Sequence, residues 1–218
     1  MQSGTNNPTA LAAGAWLARV SQLKQRLQQT PNAGIPELQL ISEEDWLAAV
    51  KDRHLDTELE YRRALSTLRN AAENQFAGMI NIALQKYLQA NGKQFPTDLA
   101  QLQPYFDSPV DVAILQRWEI VPAKTIPSLG FGLDSIITEK TAVDDLFDQR
   151  MAIGSNGYGI TDFLSTTTRE VMKPVYQAFS TANNGETIAN HSQLLPYATT
   201  AEQQAAVQKW VQRDLLNK

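Results

Sequence analysis

The sequence predicts a mainly α protein: two related helical units with a small antiparallel β insertion between them. Three observations carry this. Apolar residues keep helical spacing over a long stretch of the first half. Residues 83–118 align without a gap with residues 175–210, at a constant offset of 92. Between the copies the chain turns rich in glycine, proline and β-branched residues. The identical pairs are Gln85/Gln177, Ala90/Ala182, Asn91/Asn183, Gln101/Gln193, Leu102/Leu194, Pro104/Pro196, Tyr105/Tyr197, Ala113/Ala205, Gln116/Gln208 and Trp118/Trp210. Average composition would give about two or three. Tyr105, Trp118, Tyr197 and Trp210 are the structural markers of the repeat.

Four segments are expected, packed in one assembly: 1–36, 37–123, 124–160 and 161–218. In the first, Asn7 and Pro8 supply a cap and first turn. Trp16, Val20, Leu23 and Leu27 then line one face of an amphipathic helix, which Pro31, Gly34 and Pro36 stop. In the second, Ser42 with Asp45 opens a short helix ending near Arg53. Thr57 with Glu60 makes a stronger capping box. Behind it Tyr61, Leu65, Leu68, Ala72, Phe76, Met79, Ala83 and Tyr87 share one face of a helix of about 50 Å that stops at Gly92. Thr97 caps a short helix with Leu99 and Leu102. Ser108, Pro109 and Asp111 start another that runs through Trp118, and Thr200 with Gln203 repeats that cap in the second copy.

Between the copies, across the end of the second segment and the third, lie β-prone stretches at 119–121, 135–140 and 150–153, with a helical turn near Val143–Phe147. Turns fall at Pro122, Pro127, Gly130, Gly132, Gly154, Gly157 and Gly159. In the fourth, a second long helix spans about 162–182, with Pro174 either kinking it or marking its start.

Composition excludes several function classes. With a net charge of −4, the basic cluster Lys51, Arg53, Arg62, Arg63 and Arg69 is interleaved with acids and is a solvated helix face, so no nucleic-acid partner is expected. No cysteine means no disulfide, no thiolate chemistry and no Cys-type zinc site. No apolar run reaches the ~20 residues of a membrane span. The opening residues lack the charged start of a signal peptide and are expected to be a tail or a truncation point.

The candidate sites are sparse. His54 and His191 have no partner at metal-ligand spacing and are expected to be exposed or capping. Asp144, Asp145 and Asp148 form the richest acidic cluster, a candidate for a hard cation, but without the ligand spacing of a calcium loop. A solvated, cap-forming cluster explains them better. Gly154 to Gly159 lacks both the dinucleotide fingerprint and the phosphate-loop order. Asn156-Gly157 is a hairpin turn. No catalytic residue and no cofactor are expected.

Ala83-Leu84-Gln85-Lys86-Tyr87, Ala90-Asn91-Gly92 and Phe95-Pro96-Thr97-Asp98-Leu99 resemble the end of the long helix in type IV pilin-like and pseudopilin proteins. The apolar N-terminal helix of those proteins is absent. The wider pattern, including Ile35-Pro36-Glu37-Leu38, Glu44-Asp45-Trp46-Leu47 and Pro109-Val110-Asp111, is similar to an uncharacterised bacterial family of duplicated helical domains. Such units follow anchors or regulatory domains. The resemblance implies an accessory domain, favours the cell envelope over the cytoplasm, and carries over no functional residue.

The expected function is a non-enzymatic protein-interaction or scaffolding domain with a protein partner. A ligand-binding or sensory domain with a pocket between the units is the alternative. A hydrolase with dispersed residues is the third reading.

Overall fold

The structure, a computed structural model, describes residues 8–126 and 134–216. It is 63% helical with a four-stranded antiparallel sheet, which is the class the sequence predicts. The chain divides into two compact units, Met1–Ile160 and Thr161–Lys218. No described helix is long and apolar enough to cross a membrane.

In the first unit α1 spans Pro8–Gln29, and its expected cap Asn7 lies outside the described residues. α2 (Glu43–Val50) and α3 (Glu58–Ala90) each begin with the predicted capping box. Ser42 and Asp45 exchange backbone and side-chain bonds at one, Thr57 and Glu60 at the other. The N-terminal half of α3 packs Ala64, Leu65 and Leu68 against Val20 and Leu23 of α1 and Ala49 and Val50 of α2. Its C-terminal half lays Phe76, Ile80, Leu84 and Leu88 against Leu102, Ile114, Trp118, Ile137, Met151 and Ile153. The buried face is wider than the predicted stripe. It also takes in Arg69 and Glu73, two charged residues that are 2% exposed.

The sheet order is β1 (Trp118–Pro122), β2 (Ser135–Glu139), β3 (Gln149–Gly154) and β4 (Gly157–Asp162). Three strands match the predicted stretches. β4 follows the predicted hairpin turn but is not among the predicted stretches, because Gly157 and Gly159 alternate with Tyr158 and Ile160. Its outward residues, Tyr158 and Ile160, are exposed. The β3–β4 hairpin turns through Ser155 and Asn156, with Gly157 at φ +131° opening β4. The predicted turn residues Pro127, Gly130 and Gly132 lie outside the described residues.

Two predicted starts move. Asp98, not Thr97, caps the 3₁₀ helix Leu99–Tyr105, forming a box with Gln101. Asp111, not Ser108, caps α4 (Val112–Leu115), which stops after one turn so that Trp118 can open β1. Pairing with β2 thus overrides the helical extension expected through Trp118.

In the second unit α5 (Phe163–Ala182) starts at the Asp162 cap and runs through Pro174 without a break. A 3₁₀ helix, His191–Tyr197, and α6 (Ala201–Leu216) complete a core of Met172, Val175, Phe179, Leu194, Ala206 and Val207. Thr200 and Gln203 form the predicted cap of α6: Thr200 Oγ1 accepts from the Gln203 amide at 3.1 Å, and Gln203 Oε1 accepts from the Thr200 amide at 3.2 Å.

The offset of 92 is structural. Asn91 and Asn183 end their helices with the same bonds. Each side-chain amide donates to a carbonyl four residues back, Tyr87 at 2.9 Å and Phe179 at 2.7 Å. Each also donates to a tyrosine hydroxyl, Tyr105 at 3.2 Å and Tyr197 at 3.0 Å. The tyrosine rings stand edge-on to Tyr87 and Phe179, at 5.4 and 5.5 Å. Two consecutive left-handed residues follow each stop, Gly92 and Lys93 in one unit, Asn184 and Gly185 in the other. Even the tryptophans meet equivalent positions on their long helices. Trp118 packs edge-on against Phe76, and Trp210 Nε1 donates to Thr168 Oγ1 at 3.0 Å.

Candidate functional site

The shared positions serve the fold, and the units differ in their buried polar groups. In the first unit the difference is a buried cluster of acids and arginines under α3. Glu37 reaches it from the 3₁₀ helix Pro36–Leu40, Glu73 from α3, Arg117 from the turn before β1, and Glu139 from β2. Glu37 Oε1 accepts from Trp118 Nε1 at 2.9 Å. Its Oε2 lies 2.7 Å from Arg117 Nη1, close enough for an ion pair but without hydrogen-bond alignment. Arg117 Nη2 donates to Glu73 Oε1 at 2.8 Å. Glu139 Oε2 accepts from the Met151 amide at 2.9 Å, so a side chain takes over a ladder position between β2 and β3. Glu73 Oε2 and Glu139 Oε1 are buried without a hydrogen-bond partner.

Arg117 therefore pairs with both Glu37 and Glu73, and burial decides the charge of Glu73 and Glu139. Burial raises Glu73 to about 7, outweighing the attraction of Arg117, with Asp148 and Glu37 pushing the same way. Burial also lifts Glu139 well above the ordinary carboxylate range, helped by the charge of Glu73. The site holds protons near neutral pH. Among the described residues, no group of three or more His, Cys, Asp or Glu side chains is placed to hold a metal ion.

The predicted acidic cluster lies beside it. Asp144 makes a two-pronged pair with Arg62, at 2.8 and 2.9 Å. Asp148 pairs with Arg69 at 2.6 Å, and both side chains are 3% exposed. Asp148 also accepts from the amides of Val143 and Asp144, at 3.0 and 2.7 Å. The cap-forming expectation fits this residue. The solvated one does not, because Asp148 is buried, and Arg69 likewise leaves the expected solvated basic face. Asp145 sits between them in sequence, at half-buried exposure.

In the second unit the difference is a relay that the sequence did not reveal. His191, expected to be exposed or capping, is half-buried at the first position of its 3₁₀ helix. Its Nδ1 lies 2.9 Å from both oxygens of Asp214 on α6, and its Nε2 lies 3.1 Å from the hydroxyl of Tyr176 on α5. The imidazole stacks on Trp210 at 4.6 Å. In the first copy the positions of Tyr176 and His191 are Leu84 and Leu99, both core residues. A polar bridge has replaced a leucine contact.

An Asp-His-hydroxyl chain is the arrangement that activates a nucleophile, since the carboxylate fixes the imidazole with Nε2 free to accept a proton. Here the hydroxyl belongs to a phenol. Burial first, and then Asp214, push Tyr176 above its ordinary value, the reverse of activation. The bridge ties α5, the 3₁₀ helix and α6 together. His54 is exposed, and its backbone amide donates to Glu60 at 3.2 Å.

A concavity of about 640 Å³ lies within the first unit at the end of α3, lined by Gln85, Gln89, Lys93, Ser155 and Asn156. Compared with protein-family models, curated proteins and solved structures, the chain matches none.

Proposed function

We propose that this chain is a non-enzymatic protein-interaction or scaffolding domain that engages its partner through α1. The observation that supports this is an apolar stripe that outruns its own core. From Ala12 onward the first buried residue of α1 is Val20, whereas Trp16 is 39% and Leu17 60% exposed one turn earlier. Gly14 to Ala18 are all exposed. A helix gains little from presenting Trp and Leu to water, and such a stripe suits a second helix.

Charge selects the occupant. From Pro8 to Gln29 α1 carries Arg19, Lys24 and Arg26 and no carboxylate. Lys24 is taken by Glu43 and Arg26 by Glu58, while no ion pair engages Arg19 among the described residues. The fitting partner is an amphipathic helix whose apolar stripe is flanked by Asp or Glu.

A synthetic helical peptide with a leucine stripe flanked by glutamates is the probe. It should bind the full chain with an affinity that falls as salt rises. Leu17→Glu should abolish binding and leave the melting temperature unchanged. Equal binding by the variant would sink the reading. The concavity at the end of α3 favours a ligand-binding alternative, since its amides and one ammonium suit a small polar anion. A panel of small carboxylates raising the melting temperature in proportion to concentration would favour that instead.

A further inference from the structure

β1 is an edge strand, and its register fixes which backbone groups point away from the sheet. Trp118 pairs with Glu139 and Pro122 with Ser135. The flanking Lys140 amide donates to the Arg117 carbonyl at 2.8 Å, and the Ala123 amide to the Asp134 carbonyl at 3.0 Å. In an antiparallel ladder hydrogen-bonded and open pairs alternate, so Glu119 and Val121 bond toward β2. Trp118 and Ile120 therefore aim their amides and carbonyls at the open edge.

That edge does not face bulk solvent on a flat surface. It borders a groove of about 380 Å³ whose far wall is the 3₁₀ helix Leu99–Tyr105 and α4, with Thr97, Gln103, Val112, Leu115 and Gln116 lining it. Val112 is 55% exposed there, an apolar side chain without a core. Strand spacing of ~4.8 Å, a rise of ~3.3 Å and ~10 Å across both faces give about 160 Å³ per residue, so the groove holds two or three. Two features bound the usable edge. Pro122 brings no amide to the next outward position, and Lys140 Nζ donates to the Gln116 carbonyl at 2.7 Å. The usable edge is therefore two outward residues long, enough for one short extended segment and too short for the edge-to-edge pairing that would join the sheets of two copies.

We propose that the β1 edge binds an extended peptide segment of a partner protein, which adds a short fifth strand and sets one apolar side chain against Val112 and Leu115. The outward groups of Trp118 and Ile120 supply the ladder bonds, and the groove walls supply the side-chain contact. This surface is independent of α1, so its fate does not follow from the helix reading.

The test uses the full chain, labelled with ¹⁵N, and a seven-residue peptide of alternating threonine and valine with a lysine at each end. Saturable shifts are expected at the amides of Trp118, Ile120 and Val112. A peptide methylated at the central amide should bind about tenfold more weakly, the loss of one or two ladder bonds. Ile120→Pro removes an outward donor while the β1–β2 bonds of Glu119 and Val121 remain, and it should abolish binding. Ile120→Val keeps the backbone and should retain it. If the proline variant does not fold, the methylated peptide decides alone. The proposal is overturned by equal binding of both peptides, by shifts confined to other surfaces, by no shift at about 1 mM peptide, or by self-association through β1 in sedimentation.

Discussion

Glu73 sits in the middle of α3, where an acid is ordinarily on the solvent face, and its burial makes the first unit sensitive to alkali. A carboxyl raised from 4.5 to about 7 keeps its proton longer in the folded state than in the unfolded chain. Stability from this group is therefore greatest below pH 4.5, falls as pH rises through 7 and then levels off. The slope reaches about 1.4 kcal/mol per pH unit. Glu139, raised mainly by burial as well, contributes a decline of the same sign. Urea unfolding of Glu73→Gln between pH 5 and 8 should show a shallower fall than the parent, by about one proton's worth. Parallel curves would remove Glu73 from the account. The Arg69–Asp148 pair makes a second residue-scale prediction. Arg69→Met leaves the buried Asp148 carboxylate without its counter-ion and should cost about 3 to 5 kcal/mol, whereas adding Asp148→Leu removes that charge but orphans the Val143 and Asp144 amides and should recover only part of the loss.

Elements were legible where one stretch of sequence holds both halves of a contact. The capping boxes of α2, α3 and α6, the long apolar face of α3 and the strands β1 to β3 are of this kind. Illegible features needed distant chain. α4 stops short of Trp118 because β1 pairs with β2 well along the chain, while β4 is a separate case, hidden by its own glycines although β3 lies one tight turn away. The Tyr176–His191–Asp214 bridge draws on three elements with no spacing to betray it. Glu37, Glu73 and Glu139 are likewise scattered. The helix stops add a local prediction. Of the four left-handed positions, Lys93 at φ +64° carries the costliest residue, and its counterpart in the second unit is Gly185. Lys93→Gly should raise stability by about 0.5 to 1 kcal/mol and Gly185→Lys lower it by a similar amount, read from urea midpoints.

At the scale of the molecule, the two units have separate cores built to one plan. Leu102 and Leu194 are equivalent, and both are fully buried. Leu102→Ala and Leu194→Ala should each cost about 2 to 5 kcal/mol, with faster hydrogen exchange confined to the altered residue's own unit. Exchange rising in both units would show one cooperative structure instead. The second unit, Thr161–Lys218, has the smaller core and should open first. The bond from Asn91 to Tyr105, repeated from Asn183 to Tyr197, has a use outside this fold. It joins the residue that caps a helix's C-terminus to a point 14 positions on, with everything between supplied by one continuous stretch. Such a stretch is a portable terminator: spliced after an unrelated designed helix, it should both end that helix and fold the chain back along it.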